Sequence, residues 1–105
     1  MSSRKPTAKV VSHDTRILRG PPDSITMRSG LVTLQPGKSI GMHTTSSNEE
    51  LMIILEGQGT AQITGKDSFR FDSSTAVYIP PQTEHDITNT GKKMLKYIYV
   101  VAKAE

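Results

Sequence analysis

His43, Glu50 and His85 are the residues whose types and spacing can do chemistry. Imidazole nitrogens and carboxylate oxygens are donors for divalent transition metals. The chain has no cysteine, so any metal must be held by nitrogen and oxygen. His43 lies near the end of a short extended segment, residues 46–48 make a polar turn, and Glu50 opens an apolar run over 51–55. That turn can bring the carboxylate back alongside the first imidazole. His85 arrives in YIPPQTEHDITN, a second short strand pattern introduced by a proline turn. Two imidazoles and one carboxylate leave positions open for water and ligand. The set is similar to that of non-haem iron sites, with the order here being His, Glu, His. Iron, manganese, nickel, cobalt and zinc all accept these donors. Such a metal would act as a Lewis acid on a bound oxygen ligand, or activate dioxygen if it is iron. Without a metal, the same two histidines would hydrogen-bond within a polar pocket.

The elements that must position these residues are short strands. Residues 9–11 form a candidate first strand, and Gly20-Pro21-Pro22-Asp23 breaks the chain after it. Residues 25–34 alternate as a strand with Gly30 as a bulge or bend, and Pro36-Gly37 ends it. Gly57 and Gly59 bracket a tight connection from 51–55 into the alternating run 60–64, a hairpin pattern. Short extended runs follow at 68–71, 76–79 and 84–88, then MLKYIYVVA over 94–102, rich in β-branched and aromatic residues. Strands separated by a turn every eight to twelve residues predict an all-β sandwich or barrel, and no helix is signalled. The polar start, residues 1–8, is expected to be a flexible arm and residues 9–105 a single domain.

Side chains two apart on a strand share a face. His43 therefore points with Thr45, Glu50 with Met52 and Ile54, and His85 with Ile87 and Asn89. Where those faces line one interior, the imidazoles and the carboxylate converge among the walls of Met52, Ile54 and Ile87. Glu49 faces the other way and reaches solvent. Asn89 is expected to hold the turn at 89–91, and Tyr78, Tyr97 and Tyr99 to serve in core or interface packing.

These residues resemble the motifs of the cupin superfamily. The first cupin motif is G-x5-H-x-H-x4-E-x6-G, and Gly37, His43, Thr45, Glu50 and Gly57 keep its register with threonine at the second histidine. Ser74, Pro80, Gln82, His85 and Asn89 keep that of the second motif, G-x5-P-x-G-x2-H-x3-N, with Ser74 and Gln82 in place of its glycines. The resemblance implies a double-stranded β-helix (a jelly-roll-like barrel) of six strands, with extra strands at the termini. It also implies His43, Glu50 and His85 as metal ligands. Thr45 is a poor ligand, so the departure there implies a looser metal and a more open site.

Composition excludes other classes. The net charge of +3 is scattered and no basic stripe is interleaved with aromatics, so no nucleic-acid partner is expected. No segment has the length and apolarity of a membrane span, and MSSRKPTAK lacks the apolar run of a secretory signal, which predicts a cytoplasmic protein. The run 94–102 is apolar on both faces apart from Lys96, predicting a homodimer. The expected function is that of a small metal-binding cupin that binds or acts on a small oxygen-rich molecule. As an enzyme it would be an oxygenase, isomerase or lyase; the alternative is a non-catalytic ligand-binding or sensory module. Beyond the ligands, His13 and Glu84 are the only further acid–base candidates, and spacing places neither in the pocket.

Overall fold

Alternation along the strands decides the architecture, because each strand has one apolar face that must be covered. The computed structural model describes residues 5–104. Its nine strands among those residues are β1 (Leu18–Arg19), β2 (Arg28–Leu34), β3 (His43–Thr44), β4 (Asn48–Glu56), β5 (Gln58–Ile63), β6 (Phe69–Asp72), β7 (Ala76–Ile79), β8 (Glu84–Thr88) and β9 (Leu95–Lys103). They form a five-stranded sheet, β1-β2-β9-β4-β7, and a four-stranded sheet, β3-β8-β5-β6, with every pairing antiparallel. The sheets close over a core of Met52, Ile54, Ala61, Phe71, Val77, Ile79, Ile87, Leu95 and Tyr97.

β4 shows how this works. Glu50, Met52 and Ile54 are buried while Leu51, Ile53 and Leu55 are exposed, as a period of two requires. β9 lies at the centre of its sheet between β2 and β4, and the side chains of both its faces are buried or half-buried from residue 95 to residue 102. The exposed apolar side chains of the outer face belong instead to β4 and β7: Leu51, Ile53, Leu55 and Tyr78.

Three local expectations change. The expected hairpin between 51–55 and 60–64 does not form, because β4 pairs with β7 and β9 whereas β5 pairs with β6 and β8. A register shift between Ile54 and Glu56, followed by Gly57 at φ 82°, turns the chain out of one sheet and into the other. Gly57 has no alternative there, since a Cβ would stand 2.5 Å from the Met94 carbonyl oxygen. Gly30 is not a bulge: β2 keeps regular register with β9 through it, and its lack of a side chain admits the Thr15 carbonyl and the Tyr99 hydroxyl. Finally, residues 9–11 are not a strand, and Val10 is 99% exposed. The edge of β2 is already taken, by Leu31 donating to the Asp14 carbonyl, Ile17 donating to the Ser29 carbonyl, and β1. Of the expected arm, the first four residues lie outside the described residues.

Candidate metal centre

The site is assembled from both sheets. β3 and β8 pair so that His43 stands directly opposite His85, with ring centroids 4.2 Å apart and planes tilted by 56°. Glu50 comes from β4 in the facing sheet. One ligating atom from each of the three residues lies within 4.8 Å of the others. His85 and Glu50 are buried, whereas His43 is exposed, so the group is reached from one side.

Backbone carbonyls set both imidazoles. His43 Nδ1 lies 2.8 Å from the Gly41 carbonyl oxygen and His85 Nδ1 lies 3.1 Å from that of Thr83. A carbonyl only accepts, so each Nδ1 carries the hydrogen and each Nε2 presents a lone pair. His85 Nε2 is buried with no hydrogen-bond partner, and the nearest carboxylate oxygen, Glu50 Oε1, stands 3.6 Å away, beyond hydrogen-bond length. An orphaned buried acceptor of this kind costs about 1–3 kcal/mol unless something binds it. For His85, burial is the largest influence and disfavours the imidazolium, but the Glu50 carboxylate, the Thr83 carbonyl and the charge of Asp86 outweigh it and raise the pKa above 6.5.

Thr45 is buried and its hydroxyl is occupied: it donates to the Pro80 carbonyl at 2.7 Å and accepts from the Thr83 N–H at 3.1 Å. The Thr45 N–H also donates to the Thr83 carbonyl, the same oxygen that holds His85. Beside it the Gln82 N–H donates to the Ser46 carbonyl, with both residues in the left-handed region at φ 54°. Such a conformation is one glycine adopts without strain, which explains why glycine suits the position that Gln82 fills. Thr45 thus ties the turn at 80–83 to the strand that carries His43.

A cavity of about 270 Å³ adjoins the group, lined by Val32, Ile40, His43, Thr44, Thr45, Asn48, Glu50, Tyr99 and Val101. Met52, Ile54 and Ile87 share the faces of Glu50 and His85 but lie in the core at 0%, 3% and 0% exposure, and do not line this cavity. Its apolar wall comes instead from β2, β9 and Ile40 in the connection between β2 and β3. Spacing within one motif carries no information about those strands; only the register that pairs Glu50 with Val101 brings them there. The carbonyls of Gly41 and Thr83 were equally invisible, since a backbone acceptor has no residue-type signature. Glu49 lies on the outer face and accepts from the Tyr78 hydroxyl at 2.9 Å. Tyr97 is buried in the core. Asn89, 1% exposed, does hold its turn through the Gly91 N–H, and its amide also donates to the carbonyls of Leu34 and Lys93. His13 and Glu84 are exposed and do not line the cavity, Glu84 accepting from Thr64.

The Cupin_2 family model, described as a cupin domain, matches residues 30–101. The chain belongs to the cupin family. An uncharacterized protein of Methanocaldococcus jannaschii is 34% identical to this cupin over 62 residues, 59% of this chain. The match spans about half of that relative's length, 49%. The fold is similar to that of BH2720 from Bacillus halodurans, with TM-score 0.79, 20% identity, and 100% of this chain and 88% of that one covered. It is also similar to a predicted oxalate decarboxylase from Thermotoga maritima, with TM-score 0.69, 21% identity and coverages of 90% and 99%. A Bacillus subtilis oxalate decarboxylase with Mn(II) centres gives TM-score 0.70 at 22% identity, covering 78% of this chain and 23% of that one. At these identities the likeness is one of fold.

Proposed function

We propose that His43 Nε2, His85 Nε2 and the Glu50 carboxylate hold a divalent transition metal, and that this cupin uses it to bind a small oxygen-rich molecule in the adjoining cavity. The observation that carries the reading is the buried, unpartnered Nε2 of His85, aimed at a carboxylate and fixed by a backbone carbonyl on the opposite nitrogen. The donors suit iron, manganese, nickel, cobalt and zinc, and the Mn(II) centres of a protein of the same fold support manganese among them. When bound, the metal supplies Lewis acidity toward oxygen donors. The chain's own part is to orient the imidazoles through Gly41 and Thr83, hold the Glu50 carboxylate close by, and present an apolar wall to the rest of the ligand.

A second reading, a binding or sensory module without turnover, is favoured by the cavity lining. Among the described residues, His43, Glu50 and the Tyr99 phenol are the lining groups suited to general acid–base work. The outer face of the five-stranded sheet, with Leu51, Ile53, Leu55 and Tyr78 exposed, supports a homodimer through that face.

Elemental analysis after metal-replete expression, followed by titration, tests the metal reading. Wild type should approach one metal per chain. His43→Ala, at an exposed position, should lose it without loss of fold. Less than about a tenth of a metal per chain, with no gain on titration, would refute the site.

A further inference from the structure

The charge of the cavity narrows what it can take, on the proposed reading that His43, Glu50 and His85 hold a divalent metal. Its apolar wall is Val32, Ile40, Tyr99 and Val101, and its polar side chains other than the candidate ligands His43 and Glu50 are neutral. Among the described residues no lysine or arginine lines it. Arg28 and Lys103 come nearest in the register, since Arg28 pairs with Val101 and Lys103 with Asn48, both of which line the cavity. The Arg28 side chain lies instead against Gly20, its Nε 3.6 Å from where a Cβ on that glycine would stand, and both cations border a neighbouring cavity that meets this one at Asn48.

A divalent metal, two neutral imidazoles and one carboxylate leave a single positive charge. One anionic oxygen group on the ligand neutralises it. A second would put an uncompensated negative charge near Glu50 beside apolar walls, where repulsion is screened less than in water. The same walls reward apolar contact.

We propose that the cavity selects a singly charged chelator with two oxygen donors and a compact apolar body, such as a branched 2-oxo monocarboxylate, over doubly charged small acids. Oxalate, named in two of the similar structures, is the natural counter-probe.

The test uses the full chain loaded with Co(II), whose visible absorption reports ligands entering its coordination sphere. Oxalate, glyoxylate and 3-methyl-2-oxobutanoate are titrated, and each affinity is divided by that of the same acid for Co(II) in water, which removes intrinsic chelating strength. After that correction, 3-methyl-2-oxobutanoate should exceed oxalate by about tenfold or more, and glyoxylate, which lacks the apolar body, should fall between them. Ile40→Lys, at a partly exposed position of the wall, should move the ratio about tenfold toward oxalate. Ile40→Ala should lower the affinity for 3-methyl-2-oxobutanoate about threefold with little effect on oxalate. Corrected affinity for oxalate equal to or above that for 3-methyl-2-oxobutanoate overturns the selectivity and leaves the metal site standing. Failure of Co(II) to bind refutes the metal reading, and this one with it.

Discussion

Removing the Thr45 hydroxyl should unfasten the turn that orients His85. In Thr45→Val the side chain keeps its shape but loses both of its hydrogen bonds, to the Pro80 carbonyl at 2.7 Å and from the Thr83 N–H at 3.1 Å. Both partners belong to a part-buried turn, so water compensates them only partially. Two such losses, at about 1 kcal/mol each with a further share for the groups left unpaired, give about 2–3 kcal/mol. For a domain of this size that lowers Tm by roughly 10–20 °C. Urea titration of the metal-free protein reads the stability directly, with Thr45→Ser as the control that keeps the hydroxyl. The second readout is metal affinity. Thr83 supplies the carbonyl that holds His85 Nδ1, so Thr45→Val should weaken metal binding about tenfold or more although residue 45 donates no ligand. A variant within about 0.5 kcal/mol of wild type, or no different from Thr45→Ser, would refute the latch.

Three further outcomes are expected. Gly57→Ala should cost about 2 kcal/mol or more, because a left-handed φ of 82° and a contact at 2.5 Å with the Met94 carbonyl act together. Gly37→Ala, at φ 83° with open space around it, should cost only about 1 kcal/mol, and equal urea midpoints for the two would contradict the backbone contact. His85, with its pKa raised above 6.5 in the fold, stabilises the metal-free protein fully below 6.5, and that contribution is lost as pH rises through the raised value. Metal binding has the opposite sign, weakening as pH falls through the same value because protons compete for Nε2, and the His85→Gln variant should flatten the metal-free stability profile. Ile53→Lys on the outer face of β4 should convert the proposed dimer to monomer, and light scattering at micromolar concentration that finds wild type monomeric would remove that proposal.

Local pattern made much of the fold legible. Alternation in β4 and β8 placed Glu50, Met52, Ile54, His85 and Ile87 on buried faces, and it sent Glu49 outward. The turn residues marked most strand ends, and β-branched and aromatic residues marked β9. The first and second motifs, in the spacing of His43, Glu50 and His85, carried the family. These are short-range properties, and a period of two is written into the chain wherever one strand face is buried.

Pairing is not written there. That β4 leaves its sheet at Gly57 and does not fold back on β5 depends on a bulge and a left-handed corner that a glycine allows but does not announce. The sequence indicated three residues with donor atoms, but their approach to within 4.8 Å required His43 and His85 to be cross-strand partners in one sheet and Glu50 to face them from the other. The cavity wall, to which β2 and β9 contribute Val32, Tyr99 and Val101, and the two carbonyls that orient the imidazoles are likewise products of tertiary structure. Thr45 shows the division within a single residue. Its type and place in the motif identified it as a departure from the second histidine, while its work of binding the turn at 80–83 exists only once strands far apart in the chain have met.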